Sequence, residues 1–183
     1  GERILGGSAS YAALATSYYA PARLVGVVGH DFDEKHIHRF RAHDIDIEGL
    51  QRDESGPTFF WKGKYHENFN KRDTIDIQLN VFENFRPELP NNYRDSEYLM
   101  LGNIAPGLQL HVLEQIANTK PYVLADTIDL WIDIQKDELL QVVSKVNLFV
   151  INDSESEQLT GEKNIILAGK KLLELGTEDR KSV

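Results

Sequence analysis

The run Asn152-Asp153-Ser154-Glu155-Ser156-Glu157 follows directly on an apolar stretch that ends at Ile151. Two kinds of chemistry suit such a cluster. Ser154 with Glu157 matches S-x-x-E, the pattern in which a capping hydroxyl and a carboxylate three residues on satisfy each other's backbone amides. Asn152 and Glu155 suit a different task. A carboxylate in a first helical turn can hold a magnesium-bound water, because magnesium keeps most of its hydration shell and takes few direct protein ligands. An Asn beside it can position phosphate or water. Helix capping and a magnesium-phosphate element are both open at this point.

Gly6-Gly7 precedes a stretch rich in small residues, SASYAALATSYY. Paired glycines let a ligand approach the backbone, and a helix N-terminus favours anionic or hydroxyl oxygens. The same pair can also serve only to turn the chain and permit tight packing. It is not G-x-G-x-x-G, and no strand-plus-acid context supports a dinucleotide site. Gly102-Asn103 and Asp126-Thr127 close two further apolar runs, as Asn152 does. Open α/β sheets bind ligands beyond the carboxyl ends of their strands, although a strand-terminal Asp also serves as a cap or turn residue. The six His residues are scattered. His36 and His38, two apart, do not share a helix face, so no metal pair is read there.

These residues need elements to hold them. The small-residue stretch predicts a helix with Ser8 as its cap, and RLVGVVG (23 to 29) a strand buried on both faces. A helix over 33 to 43 and a short strand over 45 to 50 follow. From Thr58 to Val81 the pattern changes: TFFWKGKY and TIDIQLNV alternate apolar and polar residues around the polar HENFNKRD. That alternation predicts an antiparallel hairpin with one wet face. Strand and helix then alternate again, with strands over 97 to 104, 122 to 126 and 147 to 151. Helices are expected over 107 to 118, 135 to 145, 154 to 160 and 164 to 175, the last with Asn164 as cap and Gly176 just past its end. Such alternation implies a largely parallel sheet flanked by helices.

Composition narrows the partners. A net charge of −9 with no long basic run argues against a broad nucleic-acid surface. The absence of cysteine removes disulfides and thiolate metal sites. No apolar run approaches the roughly 20 residues that cross a bilayer, and no signal-peptide pattern opens the chain. The expected setting is cytoplasmic, without membrane or nucleic-acid partners. The chain opens on Gly1-Glu2-Arg3, and Lys181-Ser182-Val183 reads like the start of a strand. Both ends are therefore expected to be cuts inside a larger fold.

In order and spacing the pieces resemble the PfkB, or ribokinase-like, carbohydrate kinase family. GGSASYAALA followed by LVGVVGHDF is similar to that family's first signature region, and the hairpin sits where the family inserts its β lid. LADTIDLWI resembles an Asp-led strand end followed by tryptophan, and FVINDSESEQLTGE resembles the N-x-x-E segment, with Asn152 and Glu155 on its two defining positions. The resemblance covers essentially the whole chain. It implies an α/β core over 1–57 and 82–183, a lid over 58–81, and ATP and Mg2+ as cofactors. A sugar or nucleoside would be the substrate, and the lid could pair two copies into a homodimer. It further implies substrate contacts at Gly6, Gly7 and Asn103, with Arg72 a lid contact for a charged substrate. Asn152 and Glu155 would form the magnesium-phosphate element, and Asp126 is a further pocket candidate. Tyr11 stands where many members carry Asn, and a substrate-binding Asp on a preceding strand has no counterpart here. The family's G-x-G-D-type segment, with its Asp base and anion hole, has no counterpart here either. The expectation is therefore that these 183 residues contain no catalytic residue and do not turn over substrate by themselves. An alternative reading is a non-catalytic binding or dimerisation module working through the hairpin. A dinucleotide-dependent oxidoreductase lacks its fingerprint.

Overall fold

Gly7 turns the chain into the first helix, α1 (Ser8–Ser17), at φ 90°, a backbone angle that costs glycine little and other residues much. The expected cap at Ser8 is corrected by this: Ser8 is already the first helical residue, and no side chain caps the helix. The computed structural model describes residues 4–67 and 72–175. They fall into two compact units, Gly1–Glu88 and Leu89–Val183.

In the first unit, β1 (Gly26–Gly29) pairs in parallel with β2 (Leu50–Asp53), Gly26 opposite Leu50 and Gly29 opposite Asp53. The strand expected over 45 to 50 thus begins where that range ends. Asp46 accounts for the delay: it makes one bridge to Arg23, and its side chain then accepts from the amide of Glu48 at 2.9 Å, a turn that interrupts extended backbone. Between the strands, α2 (Glu34–Ala42) starts at Asp33, which accepts from the amide of Lys35. Ala13, Ala22, Leu24, Phe40 and Ile45 form the buried cluster beneath.

The alternating segment forms an antiparallel pair within this unit. β3 (Phe60–Tyr65) runs against β4 (Arg72–Gln78), in register from Phe60 opposite Gln78 to Tyr65 opposite Arg72. A bulge lies between Lys62 and Gly63. A Cβ at Gly63 would stand 2.1 Å from the Trp61 ring, so a larger residue there would have to displace that ring. The extended pattern stops at Gln78 rather than Val81, where a 3₁₀ turn (Asn80–Asn84) carries Val81 into the core at 5% exposure. Residues 68–71 of the expected loop lie outside those described.

In the second unit each strand is followed by one or two helices. β5 (Tyr98–Leu101), α3 (Pro106–Gln115), β6 (Tyr122–Asp126), α4 (Asp129–Ile134), α5 (Lys136–Val143), β7 (Leu148–Val150), α6 (Asp153–Thr160) and α7 (Ile165–Glu174) follow in order. The strands form one parallel sheet ordered β5-β6-β7. β6, paired on both sides, buries Val123 and Ala125, as a central strand between helical layers must. The short helix α4 was not anticipated. TIDLWID holds too few residues to show a helical period, and the helix ends where Gln135 adopts φ −139°. Asn164 caps α7 through the amides of Ile166 and Leu167, whereas Gly176 lies outside the described residues.

Candidate functional site

The three strands of the second sheet run parallel, so their C-terminal ends share one edge. Asn103 follows β5, Asp126 ends β6, and Asn152 lies just past β7. Two side chains fasten this edge. Gln109, 1% exposed on α3, donates its Nε2 to the carbonyl of Gly102 at 3.0 Å and to that of Asp126 at 3.3 Å. It thereby ties the polar end of β5 to that of β6. Trp131 on α4 donates its indole Nε1 to Asn103 Oδ1 at 2.7 Å, which fixes the side chain of Asn103. Neither Gln109 nor Trp131 was chosen from sequence as a site residue. For Gln109, a polar residue at a helix position otherwise facing the core was the only available signal.

Asn152 caps α6 with Glu155 as its counterpart. Asn152 Oδ1 accepts from the amide of Glu155 at 2.9 Å, and Glu155 Oε2 accepts from the amide of Asn152 at 3.2 Å. The capping box expected at Ser154 and Glu157 therefore lies two residues earlier in the chain. The helix begins at Asp153, which puts Asn152 at the cap and Glu155 three residues on, while Ser154 donates its hydroxyl to Asn152 Oδ1 at 2.8 Å. The two readings of this cluster fall on the same pair of residues. Glu155 is 9% exposed, unusual for a carboxylate without a strong reason to be held inside.

Asp126 is set apart from acids such as Asp33 and Asp53, whose hydrogen bonds hold them below the usual carboxylate range. Burial pushes its carboxyl up to about 6, helped by the charge of Glu155 and opposed by a bond from its own amide. Asp126 Oδ1 is buried with no hydrogen-bond partner. Asp126 at the end of β6 and Glu155 in the first turn of α6 thus act on each other through their charges, Asp126 being desolvated and incompletely partnered. Gln109 Oε1 and Ser156 Oγ, both on residues 1% exposed, also lack partners. Buried polar atoms left unmatched call for an explanation, and a ligand or ion is one. A compact cation would answer both the repulsion between the acids and the unmatched oxygen. Among the described residues, no group of three or more His, Asp or Glu side chains forms a ready metal cage, so a cation here would keep much of its water.

The remaining candidates belong to the first unit. Gly6 and Gly7 lie at the N-terminus of α1 with nothing within 4 Å of where a Cβ would be. Their backbone is open to an approaching molecule. Arg72 is the first residue of β4, across from Tyr65. No described helix is long and apolar enough to cross a membrane.

Solved structures resemble this arrangement. Adenosine kinase from Anopheles gambiae, in complex with P1,P4-di(adenosine-5) tetraphosphate, aligns over 99% of the chain and 62% of its own length at TM-score 0.80 and 18% identity. A protein from E. coli named as a ribokinase II, in complex with ATP and Mg2+, aligns over 97% of the chain and 61% of its own length at TM-score 0.77 and 18% identity. Ribokinase from Arabidopsis thaliana, complexed with ribose and ATP, aligns over 97% of the chain and 60% of its own length at TM-score 0.74 and 18% identity. The chain spans about three fifths of the length of each. At such identities the likeness shows a shared ribokinase-like α/β fold, with parallel sheets, flanking helices and a small antiparallel sheet. No curated protein matches the chain by sequence. Residues 2–181 do match the family described as pfkB family carbohydrate kinase. The chain belongs to the pfkB family of carbohydrate kinases.

Proposed function

We propose that the chain is the substrate-side part of a kinase that transfers the γ-phosphoryl group of ATP to a hydroxyl of a sugar or nucleoside. The observation that carries the reading is the coupled pair Asp126 and Glu155 on the strand-end edge of a pfkB-family fold. Gly6 and Gly7 present open backbone at the start of α1, suited to orienting substrate hydroxyls. Asn103, its side chain held by Trp131, would be a further substrate contact. Glu155 and Asp126 would hold a hydrated magnesium ion, with Asn152 beside them. That ion would neutralise charge building on the transferring phosphoryl group, in a reaction whose catalysis is mostly positioning and electrostatics. The similar proteins solved with ATP, one of them also with Mg2+, support these as the cofactors. No residue of the chain is assigned as the base that takes the hydroxyl proton. On this reading the 183 residues by themselves give no turnover, since a positioned base contributes roughly 10²–10⁴-fold. The assigned chemistry suits a cytoplasmic setting.

The β3–β4 pair is assigned as the lid. Its residues Ile75 and Ile77 are 57% and 52% exposed and give the pair an exposed apolar face. That face would cover substrate or meet the same face of a second copy, which is also the observation behind a purely non-catalytic pairing module.

The test is ADP release with a panel of sugars and nucleosides, on the protein that carries this chain and on its Glu155→Gln variant. The expected result is turnover with some panel members and a raised magnesium requirement in the variant, with substrate binding little changed. Unchanged magnesium dependence would return Glu155 to helix capping alone. Absence of ADP release with every panel member would leave the pairing module as the reading.

A further inference from the structure

The kinase reading puts a substrate at Gly6 and Gly7 without saying what kind. One helical turn onward, α1 and α2 flank an open cleft of about 260 Å³. Ser10, Tyr11 and Leu14 line it from α1, and Lys35, His36 and Arg39 from α2. Its walls are unlike each other. The α1 side offers a hydroxyl pair over an apolar floor, whereas α2 contributes cationic and imidazole groups and no acid.

The balance of charge decides what fits. Lys35 Nζ is 2.8 Å from Asp33 Oδ2, so part of its charge is already matched. Glu34, the other acid at the start of α2, is ion-paired to Arg52. Arg39 lies one turn beyond Lys35 on the same face of α2, and among the described residues it is in no ion pair. His36 Nδ1 is buried without a hydrogen-bond partner. Burial, then the charge of Lys35, lowers the His36 pKa, which leaves a neutral ring able to donate or accept at that nitrogen. Tyr11 gives its hydroxyl proton to the carbonyl of Leu5 at 3.2 Å and keeps its lone pairs for a ligand hydroxyl. The volume is below the roughly 300–1,000 Å³ common for drug-sized ligands, so a compact molecule suits it better than a nucleoside.

We infer that the substrate taken at this site is a small polyhydroxylated anion, a sugar acid or sugar phosphate, whose oxyanion meets Arg39 and Lys35 while its hydroxyls meet Ser10, Tyr11 and His36. The inference rests on the kinase reading for the word substrate, but the binding it requires does not. A guanidinium facing a carboxylate or phosphate makes charge-assisted, often paired hydrogen bonds, and a neutral sugar would leave Arg39 unmatched.

Titration calorimetry on this chain tests it, with D-gluconate, glucose-6-phosphate and glucose as probes. At least one of the two anions should bind, and glucose should bind about tenfold more weakly or not at all. Which anion binds separates a carboxylate site from a phosphate site. Arg39→Gln should weaken the anion about tenfold and Arg39→Lys should restore only part of it, the charge but not the paired hydrogen bonds, with the affinity falling as salt rises. Circular dichroism of both variants should match the parent, since Arg39 is exposed on a helix surface. Glucose binding as tightly as the anions, an unaffected Arg39→Gln variant, or no binding of either anion overturns the inference. ADP release separates the two proposals: turnover of neutral sugars untouched by Arg39→Gln removes the anion site and keeps the kinase. Anion binding with no turnover of any panel member does the reverse.

Discussion

The ends of β1 and β6 are built from the same kinds of residue and closed in opposite ways. At the end of β1, the amide of Gly29 donates to Thr58 Oγ1 at 2.9 Å, the amide of Thr58 to Asp31 Oδ1 at 2.7 Å, and that of His30 to the carbonyl of Gly56 at 3.2 Å. Asn80 adds a bond from its Nδ2 to the Thr58 carbonyl at 2.9 Å. The chain answers its own polar groups there. At the end of β6, the Asp126 carboxyl and the side chains of Gln109 and Ser156 each keep a buried atom without a partner. A polar strand end matched from within holds the fold; one left unmatched is where a ligand has something to gain.

The sharpest way to break that contrast is to crowd the closed end. A Cβ at Gly29 would stand 2.3 Å from the Gly56 carbonyl oxygen, 2.4 Å from the Pro57 carbonyl carbon and 2.5 Å from the Thr58 amide nitrogen. All three neighbours are backbone and none can swing aside. Gly29→Ala should therefore cost about 3 kcal/mol, the upper range for overpacking, and lower the thermal midpoint by about 6–12 °C. Calorimetric unfolding measures it. A loss under about 1 kcal/mol would mean the 56–58 segment yields, and the end of β1 would not be the rigid structure described.

The open end makes a prediction in the opposite direction. The Asp126 carboxyl, ordinarily near 3.8, is held up to about 6 in the folded chain, so the folded form binds this proton more tightly than the unfolded form. Its contribution favours folding below about 4 and is lost as pH rises through about 6. Asp126→Asn should remove that loss, leaving the variant more stable than the parent by about 1–2 kcal/mol at neutral pH once its partial exposure is allowed for, and no more stable at pH near 4. Magnesium should narrow the gap at neutral pH by stabilising the parent alone. A variant less stable than the parent at neutral pH would show that Asp126 is structural, like the acids around β1.

Much of this framework was legible in the residues, and the failures share a cause. YVLAD is a strand from Tyr122 to Asp126 because an apolar run ends at an acid before a helix-poor turn, and the structure starts and stops it at those residues. The hairpin showed through its period of two. Helix α4 did not, because six residues give less than two turns of pattern. The ends of elements were read one or a few residues off at Ser8, at the start of β2 and at Ser154, since caps and strand starts depend on tertiary hydrogen bonds that composition does not encode. For the site, residue types at strand ends were visible, but not which of them keep unmatched atoms. That property belongs to packing: Asp126 and Asp31 look alike in sequence, and only the fold gives one of them a backbone amide from 27 positions away.

The smallest effect separates the two residues that compete for the start of α6. Asn152 Oδ1 accepts from the Glu155 amide at 2.9 Å and from the Ser154 hydroxyl at 2.8 Å, so Asn152→Ala removes the acceptor of both bonds and leaves the first turn uncapped. The expected cost is about 1 kcal/mol, the usual value for losing an N-cap. Ser154→Ala removes a donor on an exposed residue whose hydroxyl water can serve, and should cost no more than about 0.5 kcal/mol. Urea unfolding of the two variants ranks them, and equal losses would mean the helix starts as the sequence pattern first suggests, at Ser154. Repeating the pair with magnesium present carries the comparison to function. Asn152→Ala keeps the backbone amide that donates to Glu155 Oε2 but loosens the first turn that aims this carboxylate, so if Glu155 serves only the helix, magnesium changes neither loss. If Glu155 also faces the ion, the Asn152→Ala variant gains less from magnesium than the parent does, because the carboxylate is held less firmly, while Ser154→Ala gains as much as the parent.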